Sequence, residues 1–125
     1  MSQLVVIIGA SDKPHRYANM AMHSLIEHGH EVYLVNPFKS EIEDIPCYSS
    51  VTDITATDVD EIDTVTLYVN PARFHDHIDE VIKSRPKRII MNPGTEDAEL
   101  EKRLSDAGIS VLRACTLVML NTGQF

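Results

Sequence analysis

Residues 4–16 of the chain, LVVIIGASDKPHR, indicate the fold class because an unbroken apolar run ends abruptly in a glycine and a polar loop. The apolar run Leu4–Ile8 predicts a β-strand that is covered on both faces. A helical pattern follows, with Met22, Leu25 and Ile26 on one predicted apolar face. A buried strand, a glycine turn and a helix, in this order, are typical of the first unit of a parallel α/β sheet.

The same alternation of short apolar runs and helical patterns continues along the chain. The further predicted strands are Val32–Val35, Asp63–Val69, Arg88–Met91 and Ser110–Leu112. The segment Ile42–Tyr48 contains Pro46, so any strand there is expected to be short and at a sheet edge. Because connections between parallel strands are right-handed, the pattern predicts one doubly wound, Rossmann-like parallel sheet with helices on both faces. We expect residues 1–125 to form a single domain of this kind.

Polar residues directly after strands predict where several helices begin. Asn70 and Pro71 predict the cap and first turn of one continuous helix whose buried stripe runs through residues 74–82. Thr95 is expected to cap the following helix, and Ser50 is expected to cap a single helical turn.

Composition and charge restrict the classes of partner. The net charge is −8, with 19 acidic against 11 basic residues, which argues against nucleic-acid binding. No apolar run is long enough for a membrane span, and the first residues lack the basic region of a signal peptide. Cys47 and Cys115 show no metal-binding spacing and suggest a reducing compartment, so we expect a cytoplasmic protein without a metal site.

Ligands of such sheets bind beyond the carboxyl ends of the strands, where the strand order reverses. The segments at these positions are Gly9–Asp12, Asn36–Lys39, Asn70–Arg73, Asn92–Thr95 and Arg113–Cys115. Three of these five segments begin with Asn-Pro, which turns the chain sharply and removes a backbone donor. We therefore expect the binding site to be built from these loops.

The first two loops disfavour NAD as the ligand. A dinucleotide fingerprint requires three glycines, whereas the first loop has only Gly9. The second strand ends in Asn36 instead of an acidic residue for the ribose hydroxyls, and Lys39 follows. A cation there suits a ligand with an additional phosphate near the ribose, such as NADP or coenzyme A. Ser11 and Arg16 are the candidate ligands for a diphosphate.

Short stretches with a shared order and spacing extend this pattern over nearly the whole chain. They are Gly9–Arg16, Val35–Pro37, Ile45–Tyr48, Val51–Ile54, Tyr68–Phe74, Asn92–Thr95, Asp106–Ile109 and Cys115. In these stretches the chain resembles the CoA-binding domain family, the stand-alone form of the N-terminal domain of the succinyl-CoA synthetase alpha subunit. The resemblance implies that the ligand is coenzyme A or an acyl-CoA.

The resemblance also implies which residues hold the ligand. It implies that a CoA phosphate lies at Gly9–Ser11 near Arg16, that Lys39 reaches the nucleotide part, and that residues 69–71 lie along the CoA. Asn70 stands where the synthetase has a proline. The complete expected set is Gly9, Ala10, Ser11, Arg16, Asn36, Pro37, Lys39, Val69, Asn70, Pro71, Arg73, Asn92, Pro93 and Gly94.

No catalytic residue is predicted. The synthetase carries a phosphorylated histidine in a second domain, which these 125 residues do not include, so ligation of an acid to CoA is not expected from this chain alone. His75 and His77 are two positions apart on one predicted helix, which prevents them from converging on a metal. Cys115 follows the last strand and either packs in the core or meets the CoA thiol.

The sequence therefore predicts a small cytoplasmic protein that binds CoA or an acyl-CoA without catalysis of its own. A homo-oligomer or a larger assembly is compatible with the apolar residues near the C-terminus. Two alternatives stay open at this point. One is an NADP-dependent oxidoreductase or a subunit of one, and the other is a Rossmann-like module that acts only through protein contacts.

Overall fold

A single seven-stranded sheet organises the computed structural model, which describes residues 2–57, 59 and 61–125. The strands in this part of the chain are β1 (Leu4–Ile8), β2 (Glu31–Val35), β3 (Glu41–Ile42), β4 (Ile45–Tyr48), β5 (Thr64–Leu67), β6 (Arg88–Met91) and β7 (Ser110–Arg113). The helices are α1 (Tyr17–Glu27), α2 (Val51–Thr55), α3 (Pro71–His75), α4 (Ile78–Ser84), α5 (Ala98–Asp106) and α6 (Thr116–Asn121).

The strand order is β3-β4-β2-β1-β5-β6-β7, with β1 near the centre and parallel to both β2 and β5. Only β3 runs antiparallel, to β4, so the pair forms an edge hairpin. Pro46 lies in β4, the second strand from that edge, rather than in the edge strand itself. The predicted Rossmann-like α/β fold is confirmed.

Helices cover both faces of the sheet. Ala18, Met22 and Leu25 of α1 pack with Val5 and Ile7 of β1 on one face. On the other face, Val6 and Ile8 belong to a second core cluster, with residues from α2, α3, α4 and α5. This alternation explains why β1 is apolar at every position: both of its faces are buried. None of the described helices combines the length and apolar character of a membrane span.

The sheet order creates the position for a ligand. The chain leaves β1 towards β2 on one side, whereas it leaves β5 towards β6 on the other side. The loops that follow β1 and β5 therefore diverge, and a crevice opens between them at the carboxyl ends of the strands.

Two predicted helix caps are confirmed. The Ser50 hydroxyl accepts a hydrogen bond from the Asp53 N–H at 3.2 Å. The Asn70 Oδ1 accepts one from the Arg73 N–H at 2.9 Å, with Pro71 in the first helical position. Each polar side chain satisfies a backbone donor that has no partner within its helix.

Three predictions about the helices are wrong. The helix after Asn70 is interrupted: the N–H groups of Asp76 and His77 bond to carbonyls three residues back, which tightens and ends α3 before α4 begins. Asp97, rather than Thr95, caps α5, because the helix begins at Ala98 and Asp97 Oδ1 accepts the Leu100 N–H at 3.0 Å. Ile26 is 44% exposed, so the buried face of α1 excludes it.

Candidate functional site

A cleft of about 780 Å³ opens at the carboxyl ends of β2, β1, β5 and β6. Its size lies within the range of sites for small organic ligands. One wall comes from the loops after β1 and β2, and the other comes from the loops after β5 and β6 and from the α3–α4 junction. The cleft thus occupies the crevice that the strand order creates.

Gly9 brings three strand ends together at the base of the cleft. Its N–H and that of Ala10 both donate to the Val35 carbonyl, at 3.1 and 3.2 Å, which ties the first loop to β2. Gly9 has φ +91°, and a Cβ there would lie 2.8 Å from the Tyr68 carbonyl oxygen. The single glycine of the loop therefore permits both a positive φ and close contact with the exit of β5.

Asn19 holds the next part of the loop, a role that the sequence analysis missed. This side chain is 2% exposed, and its Nδ2 donates to the Ser11 carbonyl at 2.9 Å and to Glu43 Oε2 at 3.0 Å. It joins the loop after β1 to the β3–β4 turn. The available signal was its position in α1, three residues before the buried Met22 and hence on the core-facing side.

Cations concentrate on the β1–β2 side of the cleft. Lys13, Arg16 and Lys39 line it there, and Arg73 lines it from α3. Lys39 Nζ lies 2.9 Å from Asp12 Oδ2, and both side chains are 44% exposed. The hydrogen bond from Lys39 lowers the pKa of Asp12. Because the pair is open to solvent, an anionic ligand can separate it at small cost.

The three Asn-Pro loops use their asparagines differently. Asn36 shapes its own loop: its Nδ2 donates to the Ala10 carbonyl at 2.8 Å, and its Oδ1 accepts from the Phe38 N–H at 2.8 Å. Asn70 caps α3, as described above. Asn92 is 3% exposed, and its amide bonds to Thr66, Leu67 and Thr116 below the cleft. The same dipeptide thus does not indicate the same role.

The predicted site residues are largely brought together. Twelve of the fourteen line the cleft, and the exceptions are Pro71 and Asn92. Pro71 occupies the first helical position of α3, and the Asn92 side chain lies in the buried network. Cys115 is also outside the lining, half-buried directly before α6. Whether the twelve residues bind CoA stays a prediction.

Aromatic side chains at the cleft were not predicted. Tyr17 and Phe38 line it while 67% and 78% exposed, so they offer flat apolar surfaces at the rim. Tyr68 directly follows β5 and lines the second wall, and burial raises its pKa to about 12. Tyr17 and Phe38 were not predicted because neither continues the apolar pattern of a helix or strand. The available signal was their position in the sequence, since Tyr17 follows Arg16 and Phe38 precedes Lys39.

A histidine paired with a carboxylate also faces the cleft. His77 lines it, and its Nδ1 lies 3.0 Å from Glu80 Oε1. His75 and His77 do not lie on one helix, contrary to the prediction, because α3 ends at His75 and α4 begins at Ile78. Within the described ranges no cluster of three or more His, Cys, Asp or Glu residues could hold a metal ion.

A family model for CoA binding domains matches residues 3–121. The chain belongs to this CoA-binding domain family. The match covers every strand of the sheet and all the loops of the cleft. No curated protein matches the chain.

Solved structures agree with the assignment to the CoA-binding domain family. An uncharacterised protein of known crystal structure is 39% identical over 100% of this chain and 99% of its own, with a TM-score of 0.88. A hypothetical protein from Pyrococcus horikoshii OT3 is 32% identical, with a TM-score of 0.84 over 94% of this chain and 81% of its own.

A larger enzyme contains the same fold. The dinucleotide forming acetyl-coenzyme A synthetase 1 of Ca. Korarchaeum cryptofilum is 24% identical, with a TM-score of 0.73. The match covers 90% of this CoA-binding domain but only 25% of the synthetase chain. At this level of identity the likeness concerns the fold.

Proposed function

We propose that this protein binds coenzyme A or an acyl-CoA in the cleft. The observation that carries the proposal is the concentration of Arg16, Lys39 and the Gly9–Ser11 loop on one side of a cleft at the topological switch point. The Ser11 hydroxyl and the Arg16 fork suit a diphosphate, while Lys39 suits a further phosphate near the ribose. The membership of the chain in the CoA-binding domain family supports the same ligand.

The second loop supports CoA over NAD. An NAD site places a carboxylate at the end of the second strand, where it binds the ribose hydroxyls. In this chain Asn36 stands there, and both ends of its amide already bond to Ala10 and Phe38. The cation of this loop that can meet a ribose phosphate is Lys39, whose only ion pair among the described residues is the exposed one with Asp12.

Calorimetric titration with CoA, dephospho-CoA, NADPH and NADH tests this ligand choice. We expect CoA to bind most tightly and dephospho-CoA, which lacks the 3′-phosphate, to bind more weakly. Tighter binding of NADPH than of any CoA species would replace the proposal with the NADP-dependent alternative. Absence of binding to all four compounds would favour a module that acts through protein contacts.

Replacing Arg16 by alanine is expected to weaken CoA binding about tenfold or more, since charge-assisted hydrogen bonds contribute about 1.5–3 kcal/mol. Arg16 is exposed and lines the cleft, so its loss leaves the core intact.

Lys39→Ala is expected to weaken the binding of CoA more than the binding of dephospho-CoA. Lys102→Ala, on α5 outside the cleft, is the matched control and should leave both affinities unchanged. Equal effects of Lys39→Ala on the two ligands would contradict the assigned contact.

Asp12→Asn should strengthen CoA binding, by about threefold, because it removes the carboxylate that competes for Lys39 and repels phosphate. The measurement is the same titration, and Asp106→Asn, which breaks the Lys102 pair on α5, serves as the control. Weaker binding by the Asp12 variant would show that the carboxylate helps to hold the ligand.

Two further properties stay predictions: a cytoplasmic location, and the absence of catalytic turnover by this chain.

A further inference from the structure

The His77–Glu80 pair stands at the wall of the cleft opposite the phosphate loop. His77 precedes α4, and Glu80 lies on the first turn of that helix. The two side chains are 21% and 18% exposed, so both are largely shielded from solvent. Glu80 is held in place by α2: its Oε1 accepts the Val51 N–H at 3.0 Å, and its Oε2 accepts the Thr52 hydroxyl at 3.3 Å. The carboxylate is therefore anchored independently of the histidine.

This arrangement determines which ring nitrogen of His77 can accept a proton. A carboxylate only accepts hydrogen bonds, so the Nδ1 that lies 3.0 Å from Glu80 carries the proton in the neutral ring. Nε2 is then the unprotonated nitrogen. The carboxylate fixes the orientation of the ring and stabilises the imidazolium that forms when Nε2 takes up a proton.

The strand order places this imidazole away from the expected phosphate groups. Ser11 and Arg16 follow β1, and Lys39 follows β2, whereas His77 follows β5. With strands about 4.8 Å apart, the lining from β2 to β6 extends about 14 Å along the sheet edge. A CoA molecule that binds its phosphates at β1 and β2 can extend its uncharged arm, which ends in the thiol, along this edge towards β5 and β6.

We propose that His77, oriented by Glu80, accepts the proton of the thiol of bound CoA. The inference rests on the proposed function, since it assumes that CoA occupies the cleft. In the step, the S–H proton moves to Nε2 of His77 and the bonding electron pair stays on sulfur. The products are a thiolate and an imidazolium, and no oxidant or further reactant takes part. The charged groups of this wall are Arg73 and Asp76, which also line the cleft.

The consequence is a CoA thiol that is activated as a nucleophile. A free cysteine thiol has a pKa of about 8.5, and cationic surroundings such as a neighbouring imidazolium lower the pKa of protein thiols to about 3.5–7.5. Bound CoA would therefore contain a larger fraction of thiolate at neutral pH than free CoA, which is mostly the thiol. This activity would prepare CoA for attack on an acyl donor.

The test is the pH dependence of alkylation of bound CoA by iodoacetamide. The alkylated CoA is separated from the protein and quantified by mass spectrometry, so adducts of Cys47 and Cys115 do not contribute. The midpoint of the pH profile reports the thiol pKa and is insensitive to how far the protein shields the sulfur. We expect a midpoint about one unit or more below that of free CoA, which corresponds to a tenfold larger thiolate-to-thiol ratio.

Substitutions in the His77–Glu80 pair test whether this pair lowers the pKa of the CoA thiol. His77→Gln should return the midpoint of the pH profile to that of free CoA. Glu80→Gln should raise the midpoint part of the way towards that of free CoA, and the glutamine keeps an acceptor for the Val51 N–H. His75→Gln is the matched control, because His75 is exposed and lies outside the lining. Calorimetry on the same samples gives the CoA concentration that saturates each variant, so that every midpoint is measured on bound CoA.

The two proposals fail in different ways. If CoA binds but its midpoint equals that of free CoA, or is unchanged by His77→Gln, the thiol proposal is overturned and the binding proposal stands. If calorimetry detects no CoA binding by the unmodified protein, the proposed function is overturned, and the thiol proposal is overturned with it.

Discussion

Replacing Gly9 by alanine is expected to lower the free energy of unfolding by about 3 kcal/mol. Gly9 has φ +91°, a conformation that costs an L-residue about 1–2 kcal/mol. The added Cβ would lie 2.8 Å from both the Tyr68 carbonyl oxygen and Val69 Cγ1, which adds an overpacking cost of about 1–3 kcal/mol. The Tyr68 backbone cannot easily move away, because its N–H donates to the Ile8 carbonyl at 2.8 Å.

Gly94→Ala is the matched control for this substitution. Gly94 has the same φ of +91°, but no atom lies within 4 Å of a Cβ built there. Its replacement should therefore cost only the backbone term, about 1–2 kcal/mol. Urea denaturation of both variants measures the difference. Equal losses of stability would mean that the contact with the exit of β5 does not constrain Gly9.

Asn92→Ala is expected to lower the free energy of unfolding by about 3 kcal/mol as well. The Asn92 amide donates to Thr66 Oγ1 and the Leu67 carbonyl, both at 2.7 Å, and accepts the Thr116 N–H at 2.9 Å. Alanine removes all three bonds and leaves buried donors and acceptors without partners, each at a cost of about 1–3 kcal/mol. The strands β5 and β6 stay paired, but the first N–H of α6 loses its hydrogen bond to the end of β6.

Asn70→Ala provides the comparison within the same Asn-Pro motif. Asn70 is exposed and accepts one hydrogen bond, from the Arg73 N–H at 2.9 Å. Loss of a helix cap of this kind costs about 1 kcal/mol. In thermal or urea unfolding, the Asn92 variant should therefore have a clearly lower free energy of unfolding than the Asn70 variant. Similar stabilities for the two variants would indicate that water replaces the lost partners of Asn92.

Much of the fold could be predicted because it depends on local patterns. The run Leu4–Ile8 is apolar at every position, which only a strand buried on both faces requires. Asn70-Pro71 matches the chemistry of a helix start, and the cap is present. The break after His75 was not predictable, since the buried residues Phe74 and Ile78 keep a spacing that also fits one continuous helix.

The site was predictable at the level of loops but less so at the level of individual side chains. Ligand positions follow strand ends in any parallel sheet, so twelve of the expected residues line the cleft. Asn92 follows a strand in the same way, yet its amide faces a buried network. Asn19 and His77 were missed because their partners, Ser11, Glu43 and Glu80, are reached through the folded chain rather than through a recognisable motif.

The sequence by itself determined the α/β class, the strand ends that form the site, and a charge pattern that disfavours NAD. These properties depend on periodicity and on residue type, both of which are local. Only the tertiary structure decided the roles of Asn36 and Asn92, the close contact at Gly9 and the pairing of His77 with a carboxylate anchored by α2. Each of these depends on atoms from separate elements, whose relative positions arise only when the sheet and its helices pack together.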